Sequence, residues 1–316
     1  MSLVNISFYQ PSTLVLMGFP GLEADHPWIS IPFCAFYVIA FSGNCLILII
    51  IKKNQSLHKP MYYLLSMLAI TDLGLALCTL PTTLGIFWFN IRKIDFDACL
   101  TQMYFIHILS VMESSVLLAM AFDRYVAISN PLRYSSILTK STIIKIGLAI
   151  VSRAVVSLLP LPFLLKRLTY CESNALSHSF CFHPDIIKLA CEDIMVNTLY
   201  GLVVILATAG VDFLFIVLSY ILIIKTVVGL TNQEKCLPAL NTCVSHICAV
   251  LIFFIPMIGL SIIHRYANNI PPMVNTVVAY IYLNVPPVLN PIIYSVKTKQ
   301  IRKAMLRTLW RKNNPI

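Results

Sequence analysis

Apolar residues run along this chain in seven long stretches, each carrying at most one charge: Trp28 to Ile51, Pro60 to Asn90, Cys99 to Phe122, Ile146 to Leu165, Ile194 to Ile224, Cys236 to Ile263 and Ile270 to Val296. Crossing hydrocarbon takes about 20 apolar residues in a helix, so each stretch predicts a membrane span. The expected architecture is an all-α membrane protein, a seven-transmembrane helix bundle. Residues 28–296 form one membrane domain, preceded by an N-terminal segment, 1–27, and followed by a tail, 297–316. In that tail, basic residues from Lys297 to Lys312 alternate with Ile301, Met305, Leu306 and Leu309 at helical spacing. This predicts a short amphipathic helix lying on anionic membrane lipids.

Composition agrees with the pattern. The 316 residues are 58% hydrophobic and 11% charged, with a mean hydropathy of +0.83, which excludes an ordinary water-soluble globule. A net charge of +10 could suggest nucleic acid, but the basic residues sit in short runs beside the apolar stretches. Sixteen of them, from Lys52 to Lys312, fall in alternate connections and the tail, against six (Arg92, Lys93, Lys166, Arg167, Lys188 and Arg265) in the other connections. That bias puts the N-terminus outside and the tail in the cytoplasm, with no nucleic-acid partner. The first 27 residues hold no Lys or Arg and no long apolar core, so the first span is expected to direct insertion itself. Asn5-Ile-Ser7 is a glycosylation sequon at the exposed N-terminus.

The third stretch organises the rest. At about 1.5 Å per residue, Cys99, His107, Glu113 and Asp123 sit at four depths over roughly 36 Å, a membrane thickness. Cys99 and the three cysteines of the long fourth-to-fifth connection, Cys171, Cys181 and Cys191, lie on the outer side, so two disulfides in any of three pairings are open. A zinc site using His178 or His183 is the alternative. Asn44, Asp72, Glu113 and Asn290 fall near the middle of spans one, two, three and seven. Acids in hydrocarbon must face one another, water or an ion, so the four form a candidate sodium or proton site. Asp212 and Arg153 are further charges inside spans five and four, with no assigned role. Pro256, Pro286, Pro287 and Pro291 remove helical hydrogen bonds and permit kinks in spans six and seven.

Taken in order, Gly43-Asn44, Pro60-Met-Tyr, Asp72, Met120-Ala-Phe-Asp-Arg-Tyr-Val-Ala-Ile128, Pro131-Leu-Arg-Tyr134, Ser219-Tyr220, Leu240-Asn-Thr-Cys-Val-Ser-His246 and Pro287-Val-Leu-Asn-Pro-Ile-Ile-Tyr294 resemble an odorant receptor. These are rhodopsin-like G-protein-coupled receptors, and the resemblance covers nearly the whole chain. The Leu240–His246 wording, the Gly18-Phe-Pro-Gly-Leu22 start and the Lys297-Thr-Lys-Gln-Ile-Arg302 tail resemble class I, the fish-like branch, and within it the family-51 group. Ser129, Pro184, Pro238 and Phe254 depart from that group's usual residues, and Pro184 and Phe254 bear on the preference for acids.

The resemblance implies a non-enzymatic receptor of the plasma membrane that binds a small odorant on its outer side and activates a stimulatory (olfactory) G protein. Arg265 would pair with a carboxylate beside Ser261, with His107, Phe254, Ile258 and Leu202 around the rest of the ligand. Asp123, Arg124 and Tyr125, with Tyr220, His246 and Tyr294, would form the G-protein switch. The disulfides would be Cys99–Cys181 and Cys171–Cys191. No organic cofactor is implied, only a possible sodium ion at Asp72 and Glu113. An ion- or proton-coupled transporter or channel, using Asp72, Glu113 and Asp212 as a path, is the competing class, although no internal repeat accompanies it. A retinal protein is excluded by the lack of lysine inside span seven, and a hydrolase by Ser245 and His246, which diverge on a helix.

Overall fold

A computed structural model describes residues 10–19, 21–22, 25–171, 173–229, 233–266, 271–298 and 300–306, with 233–242, 265, 266 and 272 described by backbone alone. The elements run β1 (Thr13–Leu16), α1 (His26–Lys53), α2 (Pro60–Phe89), β2 (Lys93–Asp95), α3 (Phe96–Ser129), α4 (Tyr134–Ile137), α5 (Lys140–Leu158), α6 (Pro160–Lys166), β3 (Ala175–Leu176), α7 (His183–Ile187), α8 (Met195–Ile205), α9 (Val211–Val228), α10 (Gln233–Tyr266) and α11 (Pro272–Lys297). Among the described residues seven helical segments are long and apolar enough to cross a membrane. The chain is thus a multi-pass seven-helix bundle. Leu148, Val156, Phe215 and Ile255, each at least half exposed, give the bundle an apolar exterior suited to lipid.

Helix α3 is the axis of the bundle, its buried residues running from Phe96 to Val126. It begins where the Asp95 carboxylate accepts from the backbone N–H groups of Asp97 and Ala98, a side-chain N-cap. It outlasts the apolar stretch by two turns, so Asp123-Arg124-Tyr125 is helical, and it stops just before Asn130-Pro131. Beyond α11, residues 300–306 are helical, with Ile301 and Ala304 buried and Leu306 exposed. The predicted helix beyond residue 306 lies outside the described residues, as does Asn5.

Helices α1 and α11 meet where Gly43 faces Pro291. A Cβ at Gly43 would stand 2.8 Å from the Pro291 Cβ, closer than side-chain atoms pack. Pro291 has no N–H for the Pro287 carbonyl one turn back, and Asn44 Nδ2 fills that vacancy at 2.9 Å while also donating to Ala40 O. Gly43-Asn44 is thus the complement of Pro287 and Pro291. Asn44→Leu strands the buried carbonyl, and a loss of about 1–3 kcal/mol is expected. Thermal unfolding of the purified protein would check it, and an unchanged midpoint would refute the account.

One end of the bundle is closed by a three-stranded sheet that the hydrophobic pattern does not predict. Strand β1 pairs antiparallel with β2 and parallel with β3, which ties the N-terminal segment to two later connections. Leu14 and Leu16 point into the bundle. Gly18 has φ +75°, and a Cβ there would approach the Phe87 ring. This turn drops Phe19 between α1, α2 and α11, stacked 4.7 Å from Tyr280. Disulfides Cys99–Cys181 and Cys171–Cys191 brace the same end. This is the disulfide end of the bundle, and the opposite one is the tail end.

Sequence reading assigned no role to Arg153 and Asp212, and the structure joins them. Arg153 Nη1 donates to Asp212 Oδ1 at 2.7 Å. Residues Leu206–Gly210, between α8 and α9, form a single π-helical turn, which disturbs the regular backbone pairing there. Arg153 Nη2 donates to the carbonyls of Ala207 and Thr208 within that turn, each at 3.0 Å. Ser114 and Ser115 of α3 donate to Asp212 Oδ2. One ion pair therefore fastens α3 and α5 to the irregular turn of the fifth span.

Candidate functional site

Below the disulfide cap a cavity of about 670 Å³ opens between α3, α8, α10 and α7. Its walls are mainly apolar, including Val111, Leu158, Leu202, Met257 and Leu260, and its polar groups include His107, Thr208, Ser261 and Tyr282. That balance and size suit a small organic molecule. The fifth span lines the wall along α8, at Thr198, Leu202 and Ile205, and again through its π turn, which presents Thr208 and Ala209. His107 is packed edge-on against Phe182, 5.4 Å between ring centres, so the loop after Cys181 forms the wall facing α3.

Of the residues named from sequence, His107, Leu202 and Ser261 line this cavity. Ile258 does not: it is 40% exposed on the outside of α10. The inward stripe of α10 runs through Val250, Phe253, Met257 and Leu260, and Ile258 is one position, or about 100°, off it. Met257 takes the place assigned to Ile258. Phe254 is buried against Phe213 and Phe253, and Phe253 packs on Tyr282 of the cavity wall. Phe254 therefore supports the wall from behind. The backbone at Arg265 belongs to α10, and its side chain lies outside the described residues. His183, Lys188 and His264 also border the cavity, and sequence reasoning did not assign them to it. For the two histidines, the density of histidine in and after the long loop was the signal, and Lys188 had none.

Deeper in the bundle, Asn290 Nδ2 donates to both Asp72 oxygens, at 3.1 and 3.3 Å, and approaches Glu113 Oε1 at 3.5 Å. Glu113 Oε2 and Asn290 Oδ1 are buried without a hydrogen-bond partner among the described residues. Two carboxylates and an amide oxygen form an oxygen-only donor set, the chemistry of a hard cation site. Asn44, expected with them, is instead committed to the Pro287 and Ala40 carbonyls.

Towards the tail end, His246 Nε2 is 3.0 Å from the Leu117 carbonyl, so this nitrogen carries the proton, and Nδ1 accepts the Tyr220 hydroxyl at 2.7 Å. The chain Leu117–His246–Tyr220 links α3, α10 and α9. Asp123 accepts the Tyr134 hydroxyl at 2.7 Å, and burial first, then the neighbouring Asp123, holds the Tyr134 phenol above its ordinary pKa. Arg124 approaches the Met61 sulfur, so Asp123 is held by Tyr134 while Arg124 points to α2. Tyr294 is buried, and Tyr125 is half-buried against Ile223 and Cys243.

The olfactory receptor family model matches residues 33–312. Human olfactory receptor 51G1 is 56% identical over 97% of this chain and 96% of its own. Human olfactory receptor 51I2 is 52% identical over 97% and 98%. The crystal structure of squid rhodopsin superposes with a TM-score of 0.75 at 16% identity, over 96% of this chain and 91% of that one. The last comparison shows the seven-helix fold alone, while the first two carry kinship. Membership makes the chain a non-enzymatic receptor with a small-molecule ligand and a G-protein partner. With the family model spanning most of the chain and human relatives matching above half of its positions, the chain belongs to the olfactory receptor family.

Proposed function

We propose that the 670 Å³ cavity is the odorant site, that it opens to the cell exterior at the plasma membrane, and that its occupant is a small carboxylic acid. The observation that carries the reading is the convergence of His107, Leu202 and Ser261 on one mostly apolar cavity. Arg265 follows Ser261 by four residues, a spacing that puts both positions on one helix face. Its guanidinium would hold the carboxylate by charge-assisted hydrogen bonds, with the alkyl part against Met257 and Leu260. The basic residues facing the tail-end connections, and the sequon at Asn5, support the orientation.

Ligand binding shifts the bundle only through unequal affinity for its two states. A movement of α10 away from α3 would break the His246–Leu117 bond, separate Tyr125 from Cys243, uncover Arg124 and open a groove for a stimulatory (olfactory) G protein. The oxygen cluster of Asp72, Glu113 and Asn290 would hold a sodium ion in the resting state. The amphipathic start of the tail, 300–306, would lie on anionic membrane lipids.

Cyclic AMP in cells expressing the full chain tests the reading, with a panel of short and medium carboxylic acids set against matched alcohols and esters. The acids should raise cyclic AMP, and Arg265→Ala should abolish the response at unchanged surface expression and basal signal. Equal responses to esters, or an unaffected Arg265→Ala variant, would remove the acid assignment.

A further inference from the structure

At the mouth of the cavity, three side chains from two parts of the chain converge: His178 from the turn before Cys181, Asp185 in α7, and His264 near the end of α10. His178 and Asp185 are buried, and His178 Nε2 stands 2.9 Å from Asp185 Oδ2. One ligand atom from each of the three residues lies within 4.8 Å of the others. Around them, Lys188 Nζ approaches His264 Nδ1 at 3.2 Å and Asp185 Oδ1 at 3.9 Å, and the Phe182 ring packs 5.5 Å from His264.

We propose that His178, Asp185 and His264 form a binding site for a divalent transition metal such as Zn²⁺. Two imidazoles and one carboxylate are a donor set zinc accepts, and its bonds of about 2.0–2.2 Å place ligands some 3.3 Å apart in a tetrahedron. Side-chain adjustments of the order of 1 Å therefore close the triangle, with water in the fourth position. Borderline nitrogen donors favour Zn²⁺ over the hard Mg²⁺. Binding replaces the proton on the His178 nitrogen that faces Asp185, and that proton leaves to solvent. Lys188 is the competing cation, and its half-exposed side chain can swing outward.

The consequence is mechanical. His178 and Asp185 belong to the loop braced by both disulfides, whereas His264 belongs to α10. A metal bridging them would pin the disulfide end of α10 to the loop beside the cavity. This inference stands on the loop geometry and is independent of the ligand or G protein proposed above.

The test is thermal unfolding of the purified full-length chain in detergent across a ZnCl₂ titration, with MgCl₂ in parallel. Zinc should raise the unfolding midpoint saturably and magnesium should leave it unmoved. His264→Asn should weaken the apparent zinc affinity by at least about tenfold, the smallest usual penalty for disturbing even an outer partner of a metal site. Asp185→Asn should do the same. If it fails to fold, His264→Asn, at a half-buried helix end, decides alone. Lys188→Ala should tighten zinc binding by removing the competing charge, whereas a simple ion-pair cluster would only lose stability. Zinc dependence equal in the His264→Asn and unsubstituted chains, or absent from both, overturns the proposal.

Discussion

Asp212→Ala is expected to lower the stability of the bundle by about 3–5 kcal/mol, the usual cost of removing one partner of a buried ion pair. Asp212 is 1% exposed, and Arg153, one-third exposed towards the apolar exterior, would keep its charge with no carboxylate to meet it. Arg153 would retain only the Ala207 and Thr208 carbonyls and the Ser115 hydroxyl. The double variant Arg153→Met with Asp212→Leu should recover most of the loss, because an apolar pair of similar volume removes both desolvation costs. Ser114 and Ser115 can then turn to carbonyls of their own helix. Thermal unfolding of the unsubstituted chain, Arg153→Met, Asp212→Leu and the double variant measures the coupling directly. A double variant no better than Asp212→Ala would show that the π turn needs the guanidinium itself.

Cys99→Ser is expected to be at least as damaging. The Cys99–Cys181 bond closes a loop of 82 residues and Cys171–Cys191 one of 20. On the chain-entropy account these correspond to roughly 4–5 and 3 kcal/mol. The longer bond also joins α3 to the loop that walls the cavity. Cys99→Ser and Cys181→Ser should therefore depress surface expression together and more than Cys171→Ser. The double variant of Cys99 and Cys181 should match either single change. Immunodetection of surface receptor in unpermeabilised cells measures this, and a Cys171→Ser defect exceeding that of Cys99→Ser would contradict it.

The seven spans were legible because hydrocarbon imposes one rule on every residue of a crossing helix, and the basic bias of the connections rests on a similarly simple rule. The motif residues placed the switch and ion-site candidates at their depths, yet not their partners. Nothing near Arg153 announces Asp212, since the pairing depends on how α5 leans on the fifth span. Ile258 faces outward because motif position sets depth without setting helical phase; a phase difference of one residue moves a side chain from cavity to lipid. Asn44 was grouped with Asp72 by depth, whereas the missing N–H of Pro291 claims it. The disulfide pairing followed from family likeness rather than from spacing. Strand β1 went unread because a short segment held by other loops leaves little mark of its own on the sequence.

That strand also sets an order of assembly. Strand β1 leaves the ribosome before any of the seven spans, but β3, its parallel neighbour, follows only after four spans have been made. Cys99 likewise waits for Cys181 across the fourth span. During synthesis the N-terminal segment must therefore be kept unpaired, with Leu14, Leu16 and Phe19 uncovered, until the long loop arrives beside it. The quality-control machinery of the secretory pathway would meet a half-made receptor whose stickiest surface is the segment ahead of its first span, and retention should be governed by how quickly that cap closes.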